Sequence, residues 1–416
     1  MEKLYVLRDN FPIATIESHD RQTWHFAFTR QGIEAGIEIS NSFSIDDEID
    51  QSCVKNWFCN LLPEGQSRER LVASERIADN DFAILKHIGL DCAGALTITE
   101  TIPAAMGKIP RKTITRKQLE QWSREDARVE LNIIAQEKTR MSLAGAQRKW
   151  AVIFEQGEYY FPGDDEPSTH IIKAANNHAI ILGEVYMNTL AELFGLTVPP
   201  CHIDHVGKGL FFCIERYDRA LNNGQITRIH QEDMCQVLGL PASRKYQADM
   251  GPTFGECIAA IKRYSTVSAP IIDVIQMIRW QIFNVICGNS DGHAKNISLL
   301  QNHEGKWQLA PLYDLVSTQT LQIYRADLAF SVGTNFMPGS IRASDWHAMA
   351  DECEITRPQM VREVKQALVK LNELNASDTL KHALETRGVT EDYWNRLEQV
   401  KLYIEKQCRR IDRQLT

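Results

Sequence analysis

The sequence holds no Cys-x-x-Cys pair, no Walker loop, no Gly-x-Gly-x-x-Gly stretch and no run near the roughly 18 apolar residues of a spanning helix. It therefore has no sign of a zinc ribbon, a dithiol redox site or a membrane segment. The ten cysteines lie mostly in apolar runs such as Phe211-Phe212-Cys213-Ile214, which reads as buried free thiols in a reducing compartment. The start, Met-Glu-Lys-Leu-Tyr-Val-Leu-Arg, lacks an apolar signal core, so a cytoplasmic location is expected. Positive charge is not in excess: 46 Lys and Arg face 54 Asp and Glu, a net charge of -8 that speaks against a chain built to neutralise phosphate backbone. Internal repeats and low-complexity tracts are missing as well. What remains is an ordinary globular composition, 44% hydrophobic and 24% charged over 416 residues, long enough for two or three domains at roughly 150 residues each.

Along the chain, apolar residues alternate from Leu4 to Ile39, most cleanly at Trp24, Phe26 and Phe28, with Asn10, Pro12 and Gly32 as punctuation. This predicts a small antiparallel sheet. Val54, Trp57, Phe58, Leu61 and Leu62 fall at helical spacing, and further helical pattern runs from Arg68 to Ile88. Residues 102–118 combine Pro and Gly breakers with basic charge and mark a boundary. Two strands, Lys149 to Phe154 and Tyr159 to Phe161, flank a Gln156-Gly157 turn; Thr169 to Ile172 and Leu210 to Ile214 read as further strands. Beyond Arg219 the pattern is mostly helical, clearest from Ile272 to Cys287, with Gly288 as the stop. A polar hairpin joins Ile297–Leu300 to Trp307–Leu309. The expected fold class is α+β: an N-terminal α/β part with small antiparallel sheets, a kinase-like two-lobed core, and a mostly helical C-terminal lobe. The expected divisions are 1–101, a linker with a connecting helix at 102–139, a sheet-rich lobe at 140–216 and a helical lobe at 217–416.

The chemistry gathers after the helix stop, in Asn289-Ser290-Asp291-Gly292-His293-Ala294-Lys295-Asn296, followed by the hairpin and then Pro311-Leu312-Tyr313-Asp314. Asp291 and Asn296 have the spacing at which protein kinases place a catalytic Asp and a magnesium-binding Asn. Asp314, one hairpin later, stands where kinases put a second magnesium-binding Asp, and hard oxygen donors suit that ion. Any one of these residues alone is an ordinary turn former; their joint order points to phosphoryl transfer. His293 is a candidate to polarise a phosphate or to hydrogen-bond Asp291. Upstream, Lys173 ends the apolar strand His170-Ile171-Ile172-Lys173, as does the kinase lysine that pairs the ATP phosphates, and Glu184 in the next helix is its candidate counter-charge. Ala144, Gly145, Ala146 and Gln147 offer small residues and backbone N–H groups to phosphate. Glu215-Arg216-Tyr217-Asp218-Arg219 has the place of an interlobe hinge, with backbone at Glu215 and the Tyr217 ring as candidates for adenine.

These segments, together with Asn60-Leu61-Leu62-Pro63, Ser142 before Leu143, Gln231-Glu-Asp-Met-Cys-Gln236, and Lys245-Tyr246 followed by Gly251-Pro252, resemble the HipA-type serine kinases of bacterial toxin–antitoxin pairs. The resemblance runs over nearly the whole chain, with little to match in the last 80 residues. It implies an ATP- and Mg2+-dependent protein-serine kinase in which Asp291 is catalytic, Asn296 and Asp314 hold the metal, Lys173 contacts ATP, and autophosphorylation at Ser142 switches the enzyme off. It further implies a helix-turn-helix antitoxin of the HipB type as partner, operator DNA reached mainly through that antitoxin, and an aminoacyl-tRNA synthetase, the glutamyl enzyme favoured, as target, with growth arrest and persistence as the outcome. Two positions depart from the family pattern: Tyr217 carries a hydroxyl where a plain aromatic is expected, and Arg148 follows Gln147 where an acidic residue is expected. The alternatives are a catalytically weak kinase-fold corepressor acting with a DNA-binding antitoxin, and another metal-dependent phosphotransferase.

Overall fold

A computed structural model of the chain describes residues 1–102, 110–123, 149–163, 166–175, 177–222, 224–267, 269–321 and 326–415. The chain divides into two compact units, one of residues 1–176 and 205–242, the other of residues 177–204 and 243–416. The mixture of small antiparallel sheets and long helices is the expected α+β class.

In the first unit, strands β1 (Glu2–Arg8), β2 (Phe11–Ser18), β3 (His25–Phe28) and β4 (Leu96–Thr99) form a sheet in the order β3-β2-β1-β4. Asp9 and Asn10, both at positive φ, make the tight β1–β2 turn, a conformation that short polar residues tolerate. Alternate residues of the sheet, among them Leu4, Val6, Ala14, Ile16 and Phe26, pack on the helices Gln51–Cys59 and Asp81–Ile88 through Trp57, Phe58 and Phe82. Two local expectations are corrected. Gly32 does not punctuate a strand but sits in the short helix Arg30–Ala35, where a Cβ would lie 2.3 Å from the Ile13 carbonyl oxygen. The helical pattern of 68–88 is broken in two, because Arg76 takes a left-handed conformation and Asn80 caps a new helix by accepting from the Ala83 N–H.

A second sheet contains β5 (Lys112–Ile114), β6 (Lys149–Glu155), β7 (Glu158–Phe161), β8 (His170–Ala174), β9 (Cys201–Val206) and β10 (Gly209–Glu215), in the order β5-β7-β6-β8-β10-β9. The Gln156-Gly157 turn stands where the sequence put it. The 102–118 stretch contributes β5, and Thr115 caps the helix Arg116–Trp122 with a reciprocal capping box. Past Arg219 the chain does not turn helical at once: β11 (Arg219–Asn222) and β12 (Gln225–Arg228) form a hairpin, followed by β13 (Gln231–Asp233).

The 1–99 portion and the β10–β13 segment meet at a buried seam inside this unit. Arg216 chelates Asp218 with two N–H groups at 3.0 and 2.8 Å and donates to the Cys92 carbonyl. Asp91 accepts from Arg219 and Arg228, each at 3.0 Å, and the Gly94 N–H donates to Asp218 at 2.7 Å. Burial alone would push both carboxyls up; the surrounding guanidinium groups reverse that and hold them below the usual carboxylate range. Farther along, buried Glu232 accepts from the Trp57 indole at 2.6 Å and from the Asn41 backbone at 3.0 Å, while Asn60 donates to the Leu240 carbonyl at 2.8 Å. Burial raises the Glu232 carboxyl.

The second unit is mostly helical. The helix Arg357–Asn375 packs on His178–Phe194, Pro270–Cys287 and Trp394–Leu415. By length and composition alone Pro270–Cys287 is apolar enough to cross a membrane, a feature the sequence reading did not see; it is a core helix here, with Ile278, Trp280, Ile282 and Phe283 fully buried. Pro270 fits its first turn, where no N–H is needed, and Gly288 ends it at φ 76°. All ten cysteines are free, seven of them buried, and burial pushes the Cys201 and Cys353 thiols up to about 12.

Asp91→Asn removes one carboxylate from among three arginines and leaves buried positive charge uncompensated. Stability is expected to fall by ~3–5 kcal/mol in urea unfolding; a loss under about 1 kcal/mol, the surface-pair value, would mean the cluster is not closed to water.

Candidate active site

Of the twenty residues from Gln281 to Leu300, only Asp291 is not buried. The helix end supplies the reason. Gly288 turns the chain left-handed, at a place where a Cβ would come within 2.5 Å of the Tyr403 ring. Asn289 then folds back, its backbone N–H on the Asn284 carbonyl at 2.9 Å and its side-chain amide on the Asn284 side-chain oxygen at 3.1 Å. The Asn289 side-chain oxygen accepts from the Asp291 N–H at 3.1 Å, and the Ser290 N–H goes to the Thr318 hydroxyl at 2.8 Å. Gly292 lets the loop lie flat on the helix, because a Cβ there would stand 2.6 Å from the Asn284 amide nitrogen and 3.0 Å from the Trp280 ring.

The loop closes on itself with Asp291 at its open side. The His293 N–H donates to the Asp291 carbonyl at 2.9 Å, and the Asn296 side-chain amide donates to the same oxygen, also at 2.9 Å. His293 is buried, with its ring edge-on to Tyr246 at 5.0 Å. The hairpin of β14 (Ser298–Gln301) and β15 (Trp307–Leu309) follows, pairing Leu299 with Leu309. Beyond it the Tyr313 hydroxyl donates to the Lys295 carbonyl at 2.6 Å and contacts the Ser298 hydroxyl at 3.0 Å. Neighbours of Asp314 are thereby pinned to neighbours of Asn296. Asp314 itself is half-buried at φ 59°, a left-handed conformation that costs a non-glycine residue ~1–2 kcal/mol and that strained functional loops often hold.

Asp291, His293, Asn296 and Asp314 thus all stand in the second unit, on one loop–hairpin–loop. Lys173 belongs to the first unit: it is buried on β8, paired with Phe212 of β10 and Lys149 of β6, with its ammonium 5.7 Å from the Phe212 ring centre. Glu184, fully buried, belongs to the second unit. Glu215 is exposed at the end of β10, and half-buried Tyr217 donates its hydroxyl to the Gln231 side-chain oxygen. Ser142, Ala144, Gly145, Ala146 and Gln147 lie outside the described residues.

Sequence reasoning missed two things here. In Glu215–Arg219 the charged residues 216, 218 and 219 serve the buried seam while 215 is exposed and 217 half-buried, a division set by the turn at 217–218 that no strand alternation announces. The Tyr246 hydroxyl donates to Asp291 Oδ1 at 2.5 Å. No local pattern signals a contact made across 45 residues.

As for a metal, Asn296 spends its NH2 group on the Asp291 carbonyl, so its oxygen is the end suited to a hard cation, and Asp314 adds a carboxylate. One amide and one carboxylate, with phosphate and water oxygens completing the shell, is a donor set that fits Mg2+. No cluster of three or more His, Cys, Asp or Glu capable of holding a metal occurs among the described residues, and such a site does not need one.

Two family models match the chain, one described as the HipA N-terminal domain over residues 4–99 and one as the HipA-like C-terminal domain over residues 141–373. Among curated relatives, the putative kinase Y4mE of Sinorhizobium fredii is 35% identical over 318 residues, 74% of either chain. The serine/threonine-protein kinase toxin HipA of Shewanella oneidensis is 28% identical over 404 residues, 91% of this chain and 93% of the relative. A solved structure of Shewanella oneidensis HipA, in complex with HipB and operator DNA, superposes with a TM-score of 0.84 at 24% identity, covering 98% of this chain and 97% of that one.

Gly292→Ala is expected to cost ~1–3 kcal/mol of stability, the overpacking range, because the new methyl meets a buried amide and a buried indole that cannot both withdraw. Thermal melting checks this, and a melting temperature equal to wild type would show that the loop has room the packing denies.

Proposed function

The chain belongs to the HipA family, a family of serine/threonine kinases, and on that basis we propose that Asp291, Asn296 and Asp314 form the phosphotransfer centre of an ATP- and Mg2+-dependent protein-serine kinase. The single observation that carries the reading is the exposure of Asp291 alone in an otherwise buried stretch, since a carboxylate that must meet a protein hydroxyl has to reach the surface. In this reading Asp291 accepts the proton of a serine hydroxyl as that oxygen attacks the γ-phosphorus. Asn296 and Asp314 hold Mg2+, which neutralises charge on the triphosphate. Lys173 pairs with the ATP phosphates, Glu184 balances it, His293 stiffens the loop beneath the base, and Glu215 and Tyr217 receive adenine. The segment with Ala144, Gly145, Ala146 and Gln147 covers the phosphates, and Ser142 in it is the autophosphorylation site.

In the cell the chain then acts as the toxin of a two-component pair. Its partner is a helix-turn-helix antitoxin of the HipB type, in line with the assembly of the Shewanella protein with HipB and operator DNA. The net charge of -8 favours reaching DNA through that partner. The target proposed from the family is an aminoacyl-tRNA synthetase, the glutamyl enzyme first, whose modification stalls translation and promotes persistence.

Asp291→Asn is expected to abolish phosphoryl transfer while magnesium-ATP still binds, because the proton acceptor is lost and the nucleotide contacts are not. Turnover near wild type, measured as radiolabelled phosphate on protein, would overturn the assignment. At Ser142, a phosphate adds roughly -1.5 to -2 charge beside the triphosphate, so the modified protein should bind ATP poorly. Intact-mass analysis after incubation with magnesium-ATP checks this: absence of phosphate on a peptide containing Ser142 from active enzyme would remove self-inactivation from the reading.

A further inference from the structure

The contact between Tyr246 and Asp291 reaches beyond the roles assigned so far. Tyr246 sits in a segment that is fixed from two sides. The Ala294 N–H, inside the Asp291 loop, donates to the Lys245 carbonyl at 3.1 Å. On the other side, the Gln247 N–H donates to the Ala329 carbonyl at 3.2 Å, and the Gln247 side chain bonds the Ser331 hydroxyl and N–H, each at 3.0 Å. Within the segment the Tyr246 carbonyl accepts from Asp249 and Gly251, and the Arg244 guanidinium closes onto the Met250 carbonyl at 2.7 Å. Gly251 is needed for this closure, since a Cβ would lie 2.3 Å from the Arg244 carbonyl oxygen and 2.5 Å from that of Tyr246. The Tyr246 ring is half-buried, its edge-on aromatic neighbour is His293, and its hydroxyl meets Asp291 Oδ1 at 2.5 Å.

A ring whose purpose was to fill core would be buried, and its hydroxyl would have no reason to end on the one residue of 281–300 that reaches the surface. From this geometry we infer that Tyr246 is a positioning residue for Asp291, a role that rests on the kinase reading above. A carboxylate at a loop tip can rotate about its terminal torsion, which is broad and roughly two-fold. The phenol captures one oxygen with a charge-assisted hydrogen bond and so points Oδ2 at the incoming serine. The step then runs from that one oxygen. The serine proton passes to Oδ2, the serine oxygen bonds to the γ-phosphorus, the bond from that phosphorus to the bridging oxygen breaks, and ADP leaves. The phenol keeps its own proton throughout.

Tyr246→Phe keeps the ring and its contact with His293 and removes only the hydroxyl. The experiment measures ADP release from magnesium-ATP in the presence of casein, a serine-bearing acceptor, for wild type and variant, alongside thermal melting. The expected result is a fall in kcat of about tenfold or more with KM for ATP unchanged, because the lost interaction orients the base and does not hold the nucleotide. The melting temperature should stay within about 2 °C of wild type, since no apolar contact is lost. An active wild type with a variant kcat within about twofold of it would overturn the positioning role and leave the kinase reading intact. A variant in which KM for ATP rises and kcat holds would overturn it in favour of nucleotide binding. A wild-type chain that releases no ADP would remove the kinase reading, and this role with it.

Discussion

The proposed active site depends on one constraint: a polar loop has to leave the end of an apolar helix without exposing the core behind it. The helix Pro270–Cys287 is buried along most of its length, and so is β14, the first strand of the hairpin that follows. Every backbone group between them has to find a partner inside the protein, because water does not reach it. The solution is Gly288 in a left-handed turn, Asn289 folded back on Asn284, and Asn296 folded back on the Asp291 carbonyl. Once those bonds are made, a single side chain is left pointing outward. The chemistry proposed for Asp291 follows from how completely its neighbours are enclosed.

The first unit solves a different problem with charge. Asp91 and Asp218 lie buried among Arg216, Arg219 and Arg228, and carbonyls and N–H groups of residues 90–94 fill the remaining valences. Such a cluster adds little net stability over a well-packed apolar seam, yet it is intolerant of losing any member. It therefore ties residues 1–99 to the β10–β13 segment in one arrangement. Glu232 repeats the device with neutral donors, the Trp57 indole and the Asn41 amides.

The motifs that carry the family resemblance separate into two jobs. Asp291, Asn296 and Asp314 gather at the site, whereas Asn60, Arg216, Asp218, Arg219, Glu232 and Gln236 gather at the seam. The segment 215–219 serves the seam through Arg216, Asp218 and Arg219, while the turn at 217–218 leaves Glu215 exposed and Tyr217 half-buried. Three of the seam's charged side chains therefore come from the segment expected at adenine.

What the sequence determined by itself was whatever depends on near neighbours. The β1–β2 alternation, the Gln156-Gly157 turn, the helix ending at Gly288 and the Asp291–Asn296–Asp314 spacing are all written within a few turns of chain, so period and offset suffice to find them. The breakdowns came where distant residues decide. Gly32 lies in a helix packed so close to the Ile13 carbonyl that no Cβ would fit, the 219–228 hairpin forms where a helix was expected, and Tyr246 meets Asp291 across 45 residues. Only the tertiary structure fixes these, because steric room and hydrogen-bond partners belong to the folded chain and not to any window of its sequence.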